Sequence, residues 1–209
     1  IAVGAKPPAP GGAEAFAQLA RHIARGSAVV FLDRGVFVEP DKDNKNKSRA
    51  RWLPLAHKAF TEADWVGSHF RAERWNKRHA IFKGLPSGGM MDYAFYGSLI
   101  SNDIISSDDD LAKPALAGPR LSEVVCGATR TSSSTSTGQY VSGLHVAIYE
   151  LGAGRFILNT LNILPNLDKH PAAERLLRNM LNYAAQNRDK PLADLPVDFD
   201  KHLKTMGYK

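Results

Sequence analysis

The sequence predicts one α/β domain in which a mostly parallel sheet has helices on both faces. Apolar residues recur at helical spacing over Ala13–Arg25 and again over Pro171–Gln186. Between them, Ala28–Leu32 is a short continuous apolar run, which is typical of a strand buried on both faces. The order strand, helix, strand indicates a parallel crossover unit. A length of 209 residues suits a single domain.

The first elements follow this rhythm. Ile1–Gly4 resembles the end of a buried strand, and the Pro- and Gly-rich segment Pro7–Gly12 predicts a loop. A helix over Ala13–Arg25 then ends at Gly26. An open, doubly wound sheet of about five parallel strands would place Ile1–Gly4 and Ala28–Leu32 as its third and fourth strands. We therefore expect the domain to be incomplete at its N-terminal side. The strand that begins at Ile1 would then be covered by residues upstream of it, by a second subunit or by the tail Pro191–Lys209.

The later segments alternate between loops and apolar runs. We expect an exposed loop over Pro40–Arg51, an acidic loop over Ser101–Lys113 and a flexible segment over Arg130–Gln139. Apolar runs predict a strand at Leu121–Cys126 and a β-hairpin made of Val141–Leu151, Gly152–Gly154 and Arg155–Leu161. The predicted second helix, Pro171–Gln186, precedes a surface tail over Pro191–Lys209 with a short helix at Asp198–Met206.

Composition excludes several function classes. The chain is 44% hydrophobic and 23% charged, so it can bury a core, and it lacks the run of about 20 apolar residues that a membrane helix needs. Its net charge is +6, but five of the 27 basic residues fall within Lys42–Arg51, so a local loop explains much of the excess and no nucleic-acid partner is predicted. The single cysteine, Cys126, excludes an internal disulfide and a multi-cysteine metal site. We predict no metal and no cofactor.

Three polar motifs invite a catalytic interpretation, and each has a simpler one. Cys126 precedes Gly127, but no helix pattern follows, so we expect a buried strand residue rather than a nucleophile. His170, with Glu174 nearby, stands where a helix begins, so a capping role is the simpler account. Asp108–Asp110 is a run of carboxylates, which is typical of a solvated loop. No catalytic residue is predicted.

Aromatic residues are the weak candidates for substrate binding. Trp65, Trp75, Tyr93 and Tyr96 could stack on the faces of sugar rings, although such residues more often belong to a core or an interface.

Two segments carry a resemblance to a known family. His79–Tyr96 (HAIFKGLPSGGMMDYAFY) is similar to the HPIF.GLP…D..Y stretch of class I glutamine amidotransferase-like modules. Gly152–Ala185 (GAGRFILNTLNILPNLDKHPAAERLLRNMLNYAA) resembles their G.GR.ILNTL…PAAERLL.NML.YA ending. Such modules occur in bacterial proteins of the family 2 glycoside hydrolase and β-galactosidase-like type. Ala80 departs from the family pattern, which has Pro after the His.

The resemblance implies a flavodoxin-like fold without amidotransferase chemistry, because the chain has no G-x-C-x-G elbow. It further implies a non-catalytic accessory or assembly module of a carbohydrate-active protein, whose sugar-cleaving carboxylates lie in another domain. The expected partners are an upstream catalytic domain of the same protein or further copies of the chain, with carbohydrate possible. Two alternatives stay open: an independent hydrolase of the trehalose-utilisation or amidotransferase-like type, and a small-ligand or sugar-binding domain. The expected location is periplasmic or secreted if a signal precedes Ile1, and otherwise cytoplasmic.

Overall fold

The structure is a computed structural model, and it describes residues 1–4, 12–36, 38–40, 48–50, 59–61, 73–101, 103–106, 119–131, 140–186 and 191–205. Four α-helices lie within these ranges: α1 (Gly12–Ala24), α2 (Tyr93–Tyr96), α3 (Pro171–Ala184) and α4 (Phe199–Thr205). The described strands are β1 (Ala2–Val3), β2 (Ala28–Phe31), β3 (Val38–Pro40), β4 (Ser48–Ala50), β5 (Ala59–Thr61), β6 (Glu73–Asn76), β7 (Gly89–Met90), β8 (Asp103–Ser106), β9 (Arg120–Thr131), β10 (Tyr140–Leu151) and β11 (Gly154–Asn159).

Nine of these strands form one sheet of mixed direction. Its main path runs β1-β2-β11-β10-β9-β6-β7, with β8 paired to β10 and β5 paired to β8. The strands β1, β2 and β11 are parallel. The remaining pairs are antiparallel, because β10 and β11 follow one another through a tight hairpin and β9 lies antiparallel on the other side of β10. The predicted parallel arrangement is thus confined to the β1–β2–β11 end of the sheet.

The mixed α/β class is confirmed, and helices cover both faces of the sheet. Side chains alternate along β2, so that Val29 and Phe31 join one apolar cluster while Val30 and Leu32 join the other. Helices α1 and α4 belong to the first cluster, and α3 belongs to the second. Both predicted packing helices therefore lie on the sheet, on opposite faces.

The helical spacing within Pro171–Gln186 predicts a buried stripe made of Leu176, Leu177, Met180, Leu181 and Ala184, and this prediction is correct only in part. Leu176 and Met180 are buried, but Leu181 is 40% exposed and Tyr183 is buried instead. The stripe is rotated because α3 packs against the turn 80–82 as well as against the sheet. Leu181 consequently lies on the side of α3 that faces the edge of the sheet.

The β10–β11 hairpin is confirmed and packs closely on the end of α1. Gly152 has a φ of 60°, a left-handed conformation that favours glycine. At Gly154 an added Cβ would overlap the backbone oxygen of Ile23 and lie 2.5 Å from that of Ser27. The hairpin therefore needs glycine where it meets the backbone that leads from α1 to β2.

Several predicted loops contain strands. Pro40 ends β3 and pairs with Ser48 of β4, so Pro40 and Ser48–Ala50 of the predicted loop Pro40–Arg51 are strand residues. Residues 41–47 and 51 lie outside the described residues. Within Ser101–Lys113, Asp103–Ser106 form β8. Arg130 and Thr131 are the last residues of β9, with 132–139 outside the described ranges. The short helix predicted in the tail is present as α4.

No helix among the described residues is long and apolar enough to cross a membrane.

Candidate functional site

The most concentrated group of interacting polar side chains is a cluster between α3 and the sheet, which we call the Glu123 cluster. It consists of His79, which follows β6, Glu123 of β9, Arg155 of β11 and Tyr183 of α3. Four separate stretches of the chain therefore meet at one carboxylate on the α3 side of the sheet.

Hydrogen bonds occupy every polar atom of the His79 and Glu123 side chains. Nε2 of His79 lies 2.9 Å from Oε2 of Glu123, and the hydroxyl of Tyr183 donates to Oε1. The backbone N–H of Ile81 donates to Nδ1 of His79 over 3.2 Å. Because Nδ1 accepts a hydrogen bond there, the ring proton is on Nε2, which donates a hydrogen bond to the carboxylate.

Arg155 is the fourth member of the cluster, and its guanidinium lies against the face of the Tyr183 ring. Its Cζ lies 4.6 Å from the centroid of the Tyr183 ring, and its guanidinium donates to the backbone oxygen of Tyr183 over 2.7 Å. The rings of His79 and Tyr183 have centroids 5.0 Å apart. The cluster thus combines one carboxylate, one cation and two ring systems.

These contacts favour the ionised carboxylate and the protonated phenol. Burial raises the pKa of Glu123, but the hydrogen bonds from Tyr183 and His79 outweigh burial and bring the pKa below its ordinary value. Burial, followed by the bond to Glu123, raises the pKa of Tyr183 to about 12. Neither group is tuned toward proton transfer near neutral pH, because Glu123 holds no proton and Tyr183 does not release one.

The chemistry of this arrangement is therefore that of a structural bridge. The cluster joins α3 and the turn 80–82 to β9, and each carboxylate oxygen of Glu123, like Nδ1 of His79, already accepts one hydrogen bond. Asn179 of α3 adds to the same junction, since its side-chain amide donates to the backbone oxygens of Ile81 and Lys83, each over 2.9 Å.

A second polar group lies where the parallel strands β2 and β11 end, and we call it the carboxyl-end cluster. It comprises Arg34, Asp103, His145, Asn159 and Thr160. Beyond the last β10–β11 pair, Val146 with Asn159, strand β8 takes the place of β11 beside β10. Open α/β sheets bind ligands at the carboxyl ends of their strands, so this is the expected place for a ligand site.

Much of the carboxyl-end cluster is buried and internally bonded. The side-chain amide of Asn159 donates to the backbone oxygens of Leu32 and Leu161, each over 2.9 Å, and thereby ties the ends of β2 and β11 together. The Asp103 carboxylate is 3% exposed and forms an ion pair with Arg34, whose side chain is 48% exposed.

His145 is the exception in this cluster. Its ring is completely buried, and Nδ1 lies 3.0 Å from the hydroxyl of Thr160. Among the described residues Nε2 has no hydrogen-bond partner. Burial, assisted by the charge of Arg74, lowers the pKa of His145 to about 3. The ring is therefore neutral at physiological pH.

The polar residues singled out from the sequence have structural positions. Cys126 is fully buried within β9, and burial raises the pKa of its thiol. It lies in mid-strand rather than at a turn that opens a helix, as a nucleophile of this class would. His170 is the N-cap of α3, and its Nδ1 accepts from the N–H of Ala172 over 3.2 Å, which confirms the capping role. Asp108–Asp110 lie outside the described residues.

Among the described aromatic candidates, Trp75 and Tyr96 belong to apolar clusters on opposite faces of the sheet. Trp75 packs against the α1-side cluster and its indole N–H donates to Thr129, whereas Tyr96 is buried in the α3-side cluster and its hydroxyl donates to Pro86. A fully buried ring such as Tyr96 offers no face to a sugar. Tyr93 is 72% exposed and remains available for stacking, and Trp65 lies outside the described residues.

The Glu123 and carboxyl-end clusters were not predicted from the sequence. Glu123 directly precedes Val124 and Val125, and His145 lies between Leu144 and Val146; a titratable residue beside apolar neighbours in a strand is a signal for a buried or bridged group. The strand pairings that join them to residues distant in the chain cannot be derived from periodicity. Among the described residues, no three His, Cys, Asp or Glu side chains form a group that could hold a metal ion.

Comparisons of the chain with protein-family models, with curated proteins and with solved structures find no match.

Proposed function

We propose that this chain is a non-catalytic accessory or assembly module of a carbohydrate-active, glycoside-hydrolase-like protein, with a flavodoxin-like fold of the glutamine amidotransferase-like kind. The resemblance of the segments His79–Tyr96 and Gly152–Ala185 suggests this class of protein. The state of the Glu123 cluster supports the absence of catalysis.

The observation that carries the proposal is the occupied, ionised carboxylate of Glu123. A glycoside hydrolase needs a carboxylic acid with a raised pKa and a second carboxylate at a fixed distance. The pKa of Glu123 is lowered, and His79 and Tyr183 occupy both of its oxygens. The nearby Glu150 forms an ion pair with Arg120 over 2.5 Å. Both carboxylates thus have structural partners.

An independent amidotransferase-like hydrolase is less well supported. That chemistry needs an exposed thiolate beside a helix N-terminus. Cys126, the single cysteine of the chain, is buried within β9.

Hydrolysis assays test the proposal directly. The purified chain is incubated with a panel of aryl glycosides beside the variants Glu123→Gln and Glu150→Gln, with Asp194→Asn in the exposed tail as the control. We expect that none of the four proteins, the wild-type chain and its three variants, hydrolyses the glycosides faster than a sample without protein. Turnover that is lost in Glu123→Gln or Glu150→Gln but kept in Asp194→Asn would refute the non-catalytic proposal.

A small-ligand-binding domain is the second candidate, and Nε2 of His145 favours it. A buried ring nitrogen without a partner among the described residues can accept a hydrogen bond from a hydroxyl group or another donor. Calorimetric titration with monosaccharides and other small polyols tests this candidate. Binding that is weakened in His145→Gln and unchanged in Tyr93→Ala would place the ligand at the carboxyl-end cluster, and the reverse pattern would place it on the exposed ring of Tyr93.

A further inference from the structure

Among the described residues, no strand pairs with the outer edge of β1, whose backbone groups follow a defined pattern. The backbone oxygens of Ile1 and Val3 accept from Val30 and Leu32 of β2, over 2.9 and 3.0 Å. Since alternate residues of a strand direct their N–H and C=O groups to opposite sides, those of Ala2 point away from β2. No described strand lies on that side. Ala2 therefore presents one donor and one acceptor on the side of β1 that no described strand covers.

An apolar groove lies beside this edge, on the α3 face of the sheet. We call it the edge groove; its volume is about 320 Å³. Three large apolar side chains in its lining are exposed: Ile1 by 60%, Leu181 by 40% and Leu192 by 50%. The described residues that line it are Ile1, Ala2, Gly26, Ser27, Ala28, Val30, Leu181, Ala184, Ala185, Gln186 and Leu192.

The described side chains that line the edge groove are uncharged, which bears on the partner that the groove can bind. None of the described lining residues has a charged side chain, although the chain has a net charge of +6 and 23% of its residues are charged. Ile1–Gly4 also lacks the Lys, Pro or acidic residues with which proteins usually protect an edge strand. A second, equally basic chain can approach this surface without placing like-charged side chains in contact.

We propose that β1 pairs with β1 of a second copy of this chain, antiparallel and across a twofold axis at Ala2. This inference rests on the assembly role proposed above and specifies the partner. The donor and acceptor of Ala2 match those of an identical Ala2 related by twofold symmetry, so the two residues exchange both hydrogen bonds. The interface is self-complementary, as a closed dimer requires.

The twofold axis also joins the two edge grooves. In an antiparallel pair the axis stands perpendicular to the sheet, so the α3 helices of both copies lie on the same face. Leu181 and Leu192 of each copy then flank the seam between the sheets and are removed from water. This arrangement explains why the apolar periodicity of α3 extends to Leu181, a residue that is exposed in the single chain.

Disulfide trapping tests the register. Paired Ala2 residues would have Cα atoms about 5.5 Å apart, within the roughly 4.4–6.8 Å that a disulfide spans. Ala2→Cys should therefore form a disulfide-linked dimer under mild oxidation. Gly4→Cys is the matched control on the same strand, because its two copies would be roughly 14 Å apart and cannot be bridged. The buried Cys126 does not compete with the new thiol.

Light scattering over a concentration series tests the association itself. The wild-type chain should approach twice its mass of 22.8 kDa, and added salt should strengthen the dimer by screening the repulsion between basic chains. Leu181→Glu should raise the dissociation constant at least about tenfold, because the interface would bury an unpaired charge. Val197→Glu, at a residue that is 86% exposed and outside the groove lining, should leave the association unchanged.

Three results would overturn the inference: a monomer at all concentrations, equal crosslinking of Ala2→Cys and Gly4→Cys, or equal effects of Leu181→Glu and Val197→Glu. Each of them would leave the proposed absence of catalysis untouched, because the glycoside assays depend on Glu123 and Glu150 and not on the edge of β1.

Discussion

Nε2 of His79 and Oε2 of Glu123 lie 2.9 Å apart and join two segments that are 44 residues apart in the chain. Because Ile81 donates to the opposite ring nitrogen, the imidazole is fixed in the orientation in which Nε2–H meets the carboxylate. The second oxygen of Glu123 accepts from Tyr183, so one carboxylate connects β9 to the segment after β6 and to α3. These contacts predict that Glu123 contributes to the free energy of unfolding.

Glu123→Gln should destabilise the protein by roughly 1 kcal/mol at neutral pH. The amide keeps one acceptor oxygen but loses the charge, and the loss is limited because the Glu123 side chain is 42% exposed. Urea unfolding measures the difference. Asp194→Asn, an exposed carboxylate of the tail, should change the free energy of unfolding much less, and equal losses in the two variants would contradict a bridging role.

The same variant should alter the acid dependence of stability. The folded-state pKa of Glu123 is lowered, so its contribution is fully present above the unfolded pKa of about 4.3 and is lost as the pH falls through the folded pKa. The difference in stability between wild type and Glu123→Gln should therefore shrink as the pH falls below about 4. A difference that stays constant down to pH values at which all carboxyls are protonated would show that the charge of Glu123 is immaterial.

His145 should make the protein less stable in mild acid. Its pKa is about 3 in the folded state, against about 6.5 when unfolded. Between these values only the unfolded chain takes up the proton. Stability is therefore complete above about pH 6.5 and falls by up to about 1.4 kcal/mol per pH unit below it. His145→Gln should remove this slope between pH 6 and 5 in urea unfolding, whereas His22→Gln, an exposed histidine of α1, should retain it. A wild-type slope that survives in His145→Gln would assign it to other groups.

The sequence predicted those parts of the fold that local pattern controls. The spacing of apolar residues located α1 and α3, the Gly-containing loop located the β10–β11 hairpin, and the His-Pro pair located the cap of α3. Strand direction was predicted correctly for the parallel pair β1–β2 and for the antiparallel β10–β11 hairpin. Pairings such as β8 with β10 were not predicted, because they join segments whose order no local pattern reveals. The Glu123 and carboxyl-end clusters were missed for the same reason: each is assembled by long-range pairing.

Gly154→Ala should be strongly destabilising. The new Cβ would overlap the backbone oxygen of Ile23, and a backbone atom cannot move aside as the end of a flexible side chain can. We expect a loss of about 2 kcal/mol or more, which is typical of an overpacked core. Gly89→Ala in β7 is the control, since an added Cβ there meets no atom within 4 Å. Similar urea midpoints for the two variants would mean that the contact between the hairpin and the end of α1 is not close in solution.

Cys126 should prove inert in the folded protein and required only for packing. Its thiol is fully buried in β9, and burial raises its pKa, so the reactive thiolate is scarce and inaccessible. Dithiobis(nitrobenzoate) should therefore label Cys126 only after unfolding in denaturant.

Cys126→Ser should cost about 1–3 kcal/mol of stability, because a hydroxyl replaces the thiol in an apolar cluster, whereas any activity of the protein should stay within about threefold of wild type. Cys126→Ala separates the two effects, since it removes the sulfur without burying a polar group. A hundredfold loss of activity in both variants, with little change in unfolding, would identify Cys126 as a nucleophile and overturn its structural role.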